Sequence, residues 1–530
     1  MAYRDLREWL ARLEKAGELK RIRVEVDPDL EMAEIADRAA KMGRGTDNAG
    51  GPALLFENVK GYLGARVLMN QFGSERRMKL ALHTDSLDSI ARRIESLIKP
   101  QMPSNLMDKL KLLPMLAEIG SYFPRVIARK DAPCKEVVHT GRDIKLSEIP
   151  ILRTWPGDAG PFITLPLVIT RDPKSGKRNV GMYRMQVYND RTTGMHWQRQ
   201  KNAAEHLRER MRAAAGSDAE RVNLMAMTGG GTSAAGADAA NLPGVTLSRI
   251  RGERMEVAVA IGTDPAMTFS AIVPAPPEIE EFLIAGFLRQ SPVELVKCET
   301  NSLEVPATAE YILEGYVDIG ELRMEGPFGD HTGFYTAAEE YPVFHLTAIT
   351  HRKNPIWAAT VVGKPPMEDA WLAKAVERIF LPLIKLTMPE IIDINLPPEG
   401  VAHNLMLVRM RKSYAGQARK VMSGIWALGQ AMFTKCIVVV DEDCDVQDVG
   451  EVVLRVANNI DPERDIQFTL GPVDSLDHAS RLPNYGSKMG IDATRKWPAE
   501  GFNRPWPEML AMPQDVKARV DAMWSKLGIS

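Results

Sequence analysis

A run dense in glycine and proline most limits what the middle of this chain can fold into. Residues 321–335 contain Gly326, Pro327, Gly329 and Gly333. Glycine and proline at this density exclude a regular helix or a central strand. The sequence therefore predicts a loop of fixed shape, and such loops often carry function on a rigid scaffold.

Two carboxylates, Glu325 and Asp330, lie in this run. Five residues apart in a glycine-bracketed turn, they could face one cleft, and one of them could then stay partly protonated and donate a proton. The other interpretation is an ordinary acidic surface turn, since most Asp and Glu side chains are solvated. The local sequence alone leaves both interpretations open.

Length, charge and cysteine usage narrow the class of protein. A chain of 530 residues predicts about three domains. A net charge of −2 gives no overall attraction to nucleic acid, so none is an expected partner. No apolar run reaches the roughly 20 residues that a membrane-spanning helix needs, and no apolar signal core opens the chain. Four scattered cysteines without metal-type spacing fit a reducing compartment, so we expect a cytoplasmic protein.

The first 125 residues alternate helix and strand patterns. Apolar residues recur at helical spacing behind Asp5 over 6–13, and again over 32–39. Strand patterns follow at 19–26 and from residue 54. We expect an N-terminal α/β region over 1–125.

Residues 126–364 change to short strand patterns with a turn at 172–176. The predicted strands are 162–171, 179–188, 256–261, 269–273, 343–350 and 355–362. Such a series is typical of a barrel or sandwich. An insertion at 203–244 begins as a helix, and its glycine triplet lacks the Lys-Ser/Thr of a phosphate loop, so a linker is the better interpretation.

An α/β pattern returns over residues 365–500. Helices are predicted at 371–386 and 417–428 and strands at 405–410 and 436–440, the last apolar throughout as in a buried parallel sheet. The tail, 501–530, contains an amphipathic helix, and we expect that helix to dock on a neighbour or on a partner subunit.

Taken together and in this order, several motifs resemble the UbiD family of prenylated-flavin-dependent decarboxylases. The motifs lie at 50–58, 325–333, 413–417 and 486–494. The resemblance implies an α/β (α+β) fold, with an N-terminal α/β region, a central split β-barrel that binds the flavin, and a C-terminal α/β domain with a terminal helix. It also implies a homo-oligomer, from dimer to hexamer, and a flavin prenyltransferase as supplier of the cofactor. The insertion at 203–244 is the main departure and leaves substrate choice open.

The resemblance also assigns the site residues. Asn179, His196 and Glu281 match the residues that hold a divalent ion, manganese or magnesium, against the flavin phosphate, and potassium is a further candidate ion. A hard oxygen environment with one neutral imidazole suits such an ion. The matched flavin contacts are Thr164, Asn179, Gly181, Met182, Tyr183, Arg184, His196, Trp197 and Gln198, and Lys412 would neutralise phosphate charge.

The family's catalytic arginine and two acids match Arg184, Glu325 and Asp330. Arg184 would pair with Glu325 and orient the substrate carboxylate. Asp330 would donate the proton to carbon, for which we expect its pKa to be raised, and we expect His331 only to support it.

The leading hypothesis is reversible, non-oxidative decarboxylation of an aromatic acid with prenylated FMN. The default substrate is 4-hydroxy-3-polyprenylbenzoate, in ubiquinone biosynthesis. One alternative keeps the enzyme class with a small phenolic, heteroaromatic or polycyclic acid. A second is a non-catalytic flavin-binding or assembly protein, and a third is a metal-dependent hydrolase using His196, Asp330 and His331.

Overall fold

The computed structural model describes residues 3–43, 49–98, 117–198, 202–215, 253–275 and 279–529. Within these ranges the helices are α1 (Leu6–Lys15), α2 (Glu31–Ala40), α3 (Glu75–Ala81), α4 (Leu87–Ile98), α5 (Asn202–Ala215), α6 (Pro265–Ser270), α7 (Glu281–Arg289), α8 (Glu368–Thr387), α9 (Gln417–Trp426), α10 (Val449–Asn459), α11 (Pro462–Asp465) and α12 (Gln514–Trp524).

The strands of the same ranges are β1 (Leu19–Ile22), β2 (Ala53–Phe56), β3 (Arg66–Met69), β4 (Arg125–Val126), β5 (Val137–Thr140), β6 (Phe162–Ile163), β7 (Leu167–Arg171), β8 (Arg178–Met182), β9 (Met185–Asn189), β10 (Thr192–Gly194), β11 (Arg254–Ile261), β12 (Glu294–Lys297), β13 (Glu304–Pro306), β14 (Tyr311–Glu325), β15 (Phe328–Gly329), β16 (Tyr335–Thr336), β17 (Glu339–His351), β18 (Ile356–Ala358), β19 (Ile391–Asn395), β20 (Leu405–Met410), β21 (Cys436–Asp441), β22 (Ile466–Pro472) and β23 (Tyr485–Asp492). The expected α/β fold is confirmed.

The N-terminal region is a four-stranded sheet in the order β1-β2-β3-β18. The predicted first helix is confirmed, and the side chain of Asp5 caps it by accepting hydrogen bonds from the backbone N–H groups of Arg7 and Glu8, both at 3.0 Å. Strand β18 comes from far along the chain, so the N-terminal sheet is completed by the end of the central region.

The central region is a half-barrel sheet in the order β6-β9-β10-β17-β14-β11-β7-β8, with β5 beside β17. Strand β11 is buried on both faces: Val257, Val259 and Ile261 enter one core, and Ala258 and Ala260 enter the other. The predicted turn at 172–176 joins β7 to β8 as a hairpin.

One strand prediction and one loop prediction for this region are wrong. The predicted strand at 269–273 does not form, because residues 265–270 are the helix α6: Pro265 suits a first helical turn, and the Asp264 side chain caps it by accepting from Met267 N at 3.2 Å. The run at 321–335 is not a loop throughout, since its first five residues end the long strand β14. Beyond the helix α5, the glycine-rich part of the insertion lies outside the described residues.

The C-terminal region is a five-stranded sheet in the order β19-β20-β21-β23-β22. The apolar strand β21 runs parallel to both β20 and β23, as its composition predicts. Helix α12 has no buried residue within the described chain, and Trp524 is half exposed. In the described ranges, no helix combines the length and apolar character needed to span a membrane.

Candidate active site

Arg184 sits where the chain passes from one strand to the next. Up to Met182 the backbone pairs with β7, and from Met185 it pairs with β6, which leaves Arg184 outside both ladders. Its side chain is only 8% exposed, and its guanidinium lies 4.5 Å from the centre of the Phe328 ring. The prediction of one continuous strand over 179–188 misses this break.

The guanidinium of Arg184 joins the two acids of the glycine-rich run. Its Nε donates to Oε1 of Glu325 at 3.0 Å, and its Nη1 hydrogen-bonds Oδ2 of Asp330. Thr336 supports the second contact, because its hydroxyl accepts from Arg184 Nη1 at 3.1 Å and donates to Asp330 Oδ2 at 3.0 Å. Glu325 is fully buried, so the acidic run is not an ordinary surface turn. The structure therefore brings together the three residues that match the family's catalytic residues.

A tight hairpin places Asp330. Strands β15 and β16 pair, and Asp330 and Gly333 close the turn through a backbone hydrogen bond of 2.9 Å. Gly333 has a φ of +82°, a conformation that favours glycine. At Gly329 the Trp155 ring approaches so closely that an added Cβ would lie 2.2 Å from a ring carbon. Two glycines of the run thus serve the shape of the hairpin.

The expectation that Asp330 has a raised pKa is wrong. Burial raises the pKa of Asp330, but the hydrogen bond from His331 and the charge of Arg184 outweigh burial, and the pKa is lowered. Burial lowers the pKa of His331, yet its bond to Asp330 raises the value to about 9. His331 Nδ1 lies 2.8 Å from Asp330 Oδ1. Near neutral pH, Asp330 is therefore ionised and His331 is protonated.

Glu325 also binds His196. Burial raises the pKa of Glu325, but its contacts with His196 and Arg184 bring the pKa below its usual value, so this carboxylate is ionised. Its Oε2 accepts from His196 Nδ1 at 2.6 Å. The other ring nitrogen, Nε2, is buried and has no hydrogen-bond partner in the described chain. A histidine that donates one N–H to a carboxylate and leaves its second nitrogen free suits metal ligation.

The other two predicted metal ligands are Asn179, on strand β8, and Glu281, on helix α7. Glu281 starts α7, is 5% exposed, and accepts from Val180 N at 2.8 Å. Desolvation raises its pKa to about 7, as expected for a buried carboxylate without a cation. Asn179, next to Val180, is buried and accepts from Asn202 Nδ2 at 3.0 Å. Two side-chain oxygens and an imidazole suit manganese or magnesium. Asn179 is not one of the four residue types that bind metals most often. Among the described residues, no cluster of three or more His, Cys, Asp or Glu side chains could hold a metal without such an amide.

The other predicted flavin contacts lie in three places. Gly181 and Met182 end β8, and Tyr183 joins them to Arg184. Trp197 and Gln198 follow His196. Within the described residues the buried indole nitrogen of Trp197 has no hydrogen-bond partner. Thr164 lies between β6 and β7 and accepts from Thr360 N at 3.0 Å.

Lys412 lies apart from these residues, after β20. Its ammonium binds Glu500 Oε2 at 2.6 Å, the Arg495 carbonyl at 2.8 Å and Thr494 Oγ1 at 3.0 Å. The role assigned to Lys412 toward a phosphate stays a prediction.

The sequence analysis did not identify two residues that contact the candidate active site, Thr336 and His403. His403 Nε2 lies 3.0 Å from His331 Nε2. It belongs to the C-terminal region, 72 positions along the chain from His331, and no local motif marks it.

Family models match most of the chain. The N-terminal, Rift-related and C-terminal domains of 3-octaprenyl-4-hydroxybenzoate carboxy-lyase match residues 10–97, 125–365 and 370–493. The chain belongs to the UbiD family. UbiD-family decarboxylases are carboxy-lyases that act on aromatic acids.

Relatives and solved structures agree with this placement. A relative from Archaeoglobus fulgidus, an uncharacterised protein, is 51% identical over 99% of both chains. The closed form of vanillic acid decarboxylase from Sedimentibacter hydroxybenzoicus superposes with a TM-score of 0.79 at 27% identity, covering 100% of both chains. The UbiD-class enzyme HmfF from Pelotomaculum thermopropionicum, in an evolved dimeric form with prFMN, gives 0.72 at 28% identity, covering 97% of this chain and 98% of that one.

Proposed function

We propose that this UbiD-family protein removes the carboxyl group of an aromatic acid without net oxidation, with prenylated FMN and a divalent ion. One observation carries the proposal: buried Arg184 binds Glu325 and Asp330 and keeps a third guanidinium nitrogen, Nη2, without a partner among the described residues. A planar guanidinium with a spare N–H edge can bind a substrate carboxylate. The HmfF complex with prFMN supports the choice of cofactor.

The site residues fit a flavin phosphate held through a metal. Asn179, His196 and Glu281 would hold manganese or magnesium. The residues around Arg184, from Gly181 to Tyr183, would hold the flavin with Thr164 and Trp197. When bound, the prenylated flavin supplies the electron sink that decarboxylation of an aromatic acid requires and that no side chain provides.

The chain's own residues orient the substrate and transfer one proton. Arg184 positions the carboxylate, and Glu325 fixes both Arg184 and His196 by accepting from each. Replacing a carboxylate by hydrogen consumes one proton per turnover. Asp330 is the group that passes this proton to carbon, and His331 supports it. Burial of these groups keeps water away from the reacting carbon.

The default substrate is 4-hydroxy-3-polyprenylbenzoate, the acid after which the matching family models are named. A small phenolic acid is the second candidate. The likeness to vanillic acid decarboxylase favours it. We further propose a homo-oligomer that uses the exposed helix α12.

A substrate panel tests the proposal. The protein is produced together with a flavin prenyltransferase, and its bound flavin is identified by mass and visible absorption. The holo-protein is then offered 4-hydroxybenzoates with and without a 3-prenyl chain, vanillate, a furoate and a naphthoate. Loss of carbon dioxide from one of these acids supports the enzyme class, and the preferred acid separates the two substrates. A protein that holds prenylated FMN but turns over none of them would support the flavin-binding or assembly alternative.

A further inference from the structure

The C-terminal region contacts the hairpin that carries Asp330. His403 Nε2 lies 3.0 Å from His331 Nε2, and the Phe334 ring lies 4.3 Å from the His478 ring, centre to centre. Both contacts join the β15–β16 turn to loops of the C-terminal sheet. The candidate site in the half-barrel is therefore incomplete without that sheet.

The backbone before His403 is held in an uncommon conformation. Val401 and Ala402 have φ values of +45° and +63°. Two successive non-glycine residues in the left-handed region cost free energy, more so for a β-branched residue, and such strain clusters at functional sites. Hydrogen bonds hold the turn, from Asn404 N to the Gly400 carbonyl at 2.7 Å and from Lys435 N to the His403 carbonyl at 3.1 Å. This turn fixes where the His403 ring lies.

The direction of the hydrogen bond between the two imidazoles follows from their charges. A single hydrogen lies between the two Nε2 atoms. Burial lowers the pKa of His403 to about 4, so its ring is neutral and can accept. His331 is protonated on both nitrogens near neutral pH. Its Nε2–H thus points at His403, and its Nδ1–H points at Asp330.

We propose that His331 holds the proton that Asp330 delivers, and that His403 is the positioning residue that keeps the His331 ring aligned for this transfer. This inference rests on the proposed function. In each turnover the Nδ1–H bond of His331 breaks and an O–H bond forms on Asp330 Oδ1. Asp330 then gives that proton to the carbon that has lost carbon dioxide. An O–H bond of water then breaks to restore the Nδ1–H bond of His331, whose side chain is 21% exposed, and the hydroxide left combines with the released carbon dioxide as hydrogencarbonate.

Other charged groups around the two rings shift the pKa values of His331 and His403. Asp330, Asp369 and Asp474 face His331, and Asp474 also acts on His403. All three acids raise the pKa of the imidazole they face. Arg184 acts on the pair through Asp330.

The test compares two variants of His403. His403→Leu removes the acceptor, and His403→Gln keeps a carbonyl oxygen at about the distance of Nε2. For His403→Leu we expect kcat to fall roughly tenfold to hundredfold with KM little changed. We also expect the basic limb of its kcat–pH profile to move down by about one pH unit. His403→Gln should restore most of both. If His403→Leu does not fold, His403→Asn, whose carbonyl ends short of His331, takes its place.

The matched control is His139→Leu. His139 and His351, on the paired strands β5 and β17, form another pair of facing imidazoles, with Nε2 atoms 3.2 Å apart. This variant should leave the kcat–pH profile unchanged, which separates the effect of His403 from the general loss of a histidine pair.

Nitrogen-15 NMR of the histidine rings gives a readout that needs no turnover. In the flavin-free protein near neutral pH, the His331 ring should be charged and the His403 ring neutral, with His331→Gln assigning the signals. His403→Leu should shift the His331 titration to lower pH. An unchanged His331 titration and an unchanged basic limb in this variant would overturn the proposal. A wild-type holo-protein without turnover would reject the proposed function instead, while the NMR result still decides the alignment.

Discussion

Nε of Arg184 donates to Oε1 of Glu325 at 3.0 Å, although 141 positions separate the two residues in the chain. The arginine lies at a break between two strands, and the glutamate ends a long strand of the same half-barrel. Because Glu325 also accepts from His196, one buried carboxylate connects the predicted substrate-binding residue to a predicted metal ligand. Its position makes Glu325 the structural centre of the site.

Asp330→Asn removes the group that passes the proton to carbon. We expect turnover to fall by about 10²- to 10⁴-fold, because asparagine cannot donate a proton as an acid does. Steady-state decarboxylation by protein with equal flavin content is the measurement. The control is Glu321→Gln, an exposed acid on β14, which should keep full activity. Equal rates for Asp330→Asn and wild type would reject the role of Asp330.

Arg184→Lys keeps the positive charge but loses the planar fork that binds Glu325 and Asp330 together. We expect kcat/KM to fall by about 100-fold or more. Losing one hydrogen bond to a buried carboxylate should also lower the free energy of unfolding by about 1.5–3 kcal/mol. Arg191→Lys, in the exposed turn before β10, is the control. An Arg184→Lys enzyme as active and stable as the control would contradict the assigned geometry.

Stability should fall as pH rises past neutrality. The pKa of His331 is about 9 in the folded protein and 6.5 ordinarily, so its contribution is complete below about 6.5 and is lost on the way to about 9. The slope should approach about 1.4 kcal/mol per pH unit. Asp330, whose pKa is lowered, adds stability that is lost only as the solution becomes strongly acidic. Urea unfolding at several pH values should show a shallower slope for His331→Gln, and equal slopes would exclude this ion pair as the cause.

Metal content should depend on Glu281 and not on its neighbour. Glu281→Gln should lower the bound manganese of the holo-protein, measured by elemental analysis, and should weaken retention of the flavin. Treatment of wild type with a chelator should do the same. Glu280→Gln is the matched control, because Glu280 is engaged by Arg178 at 2.9 Å rather than left for a cation. Unchanged manganese in Glu281→Gln would remove this residue from the metal site.

Helix α12 should hold subunits together. It has no buried residue within the described chain, and Trp524 and Met523 are about half exposed. We expect Trp524→Glu to shift the mass measured by light scattering toward the monomer. Arg519→Glu, on the same helix, should leave the mass as in wild type. A wild-type protein that is already monomeric would reject the proposed oligomer.

Local signals predicted the elements well where one physical cause dominates. Asp5 caps α1, and the fully apolar strand β21 lies inside a parallel sheet, as composition alone requires. The strand predicted at 269–273 does not form, because a cap at Asp264 and a proline at 265 begin a helix that runs through Ser270. The break at Arg184 depends on which strands are neighbours, and no local pattern records that.

The site residues also differ in how well the sequence predicts them. Arg184, Glu325 and Asp330 lie in motifs that the sequence shows. His403 lies in a turn of the C-terminal region that meets the hairpin only in the folded chain. The protonation of Asp330 was predicted wrongly for a related reason. Burial, which sequence suggests, raises its pKa, but His331 and Arg184 outweigh burial once the fold brings them into contact.

The most direct test of the central claim is decarboxylation of the panel acids in heavy water by protein whose bound prenylated FMN has been verified. We predict a product that carries one deuterium at the carbon that bore the carboxyl group, formed by wild type and almost absent with Asp330→Asn. A verified holo-protein that releases no carbon dioxide from any of these acids, or an Asp330→Asn variant as fast as wild type, would contradict the account.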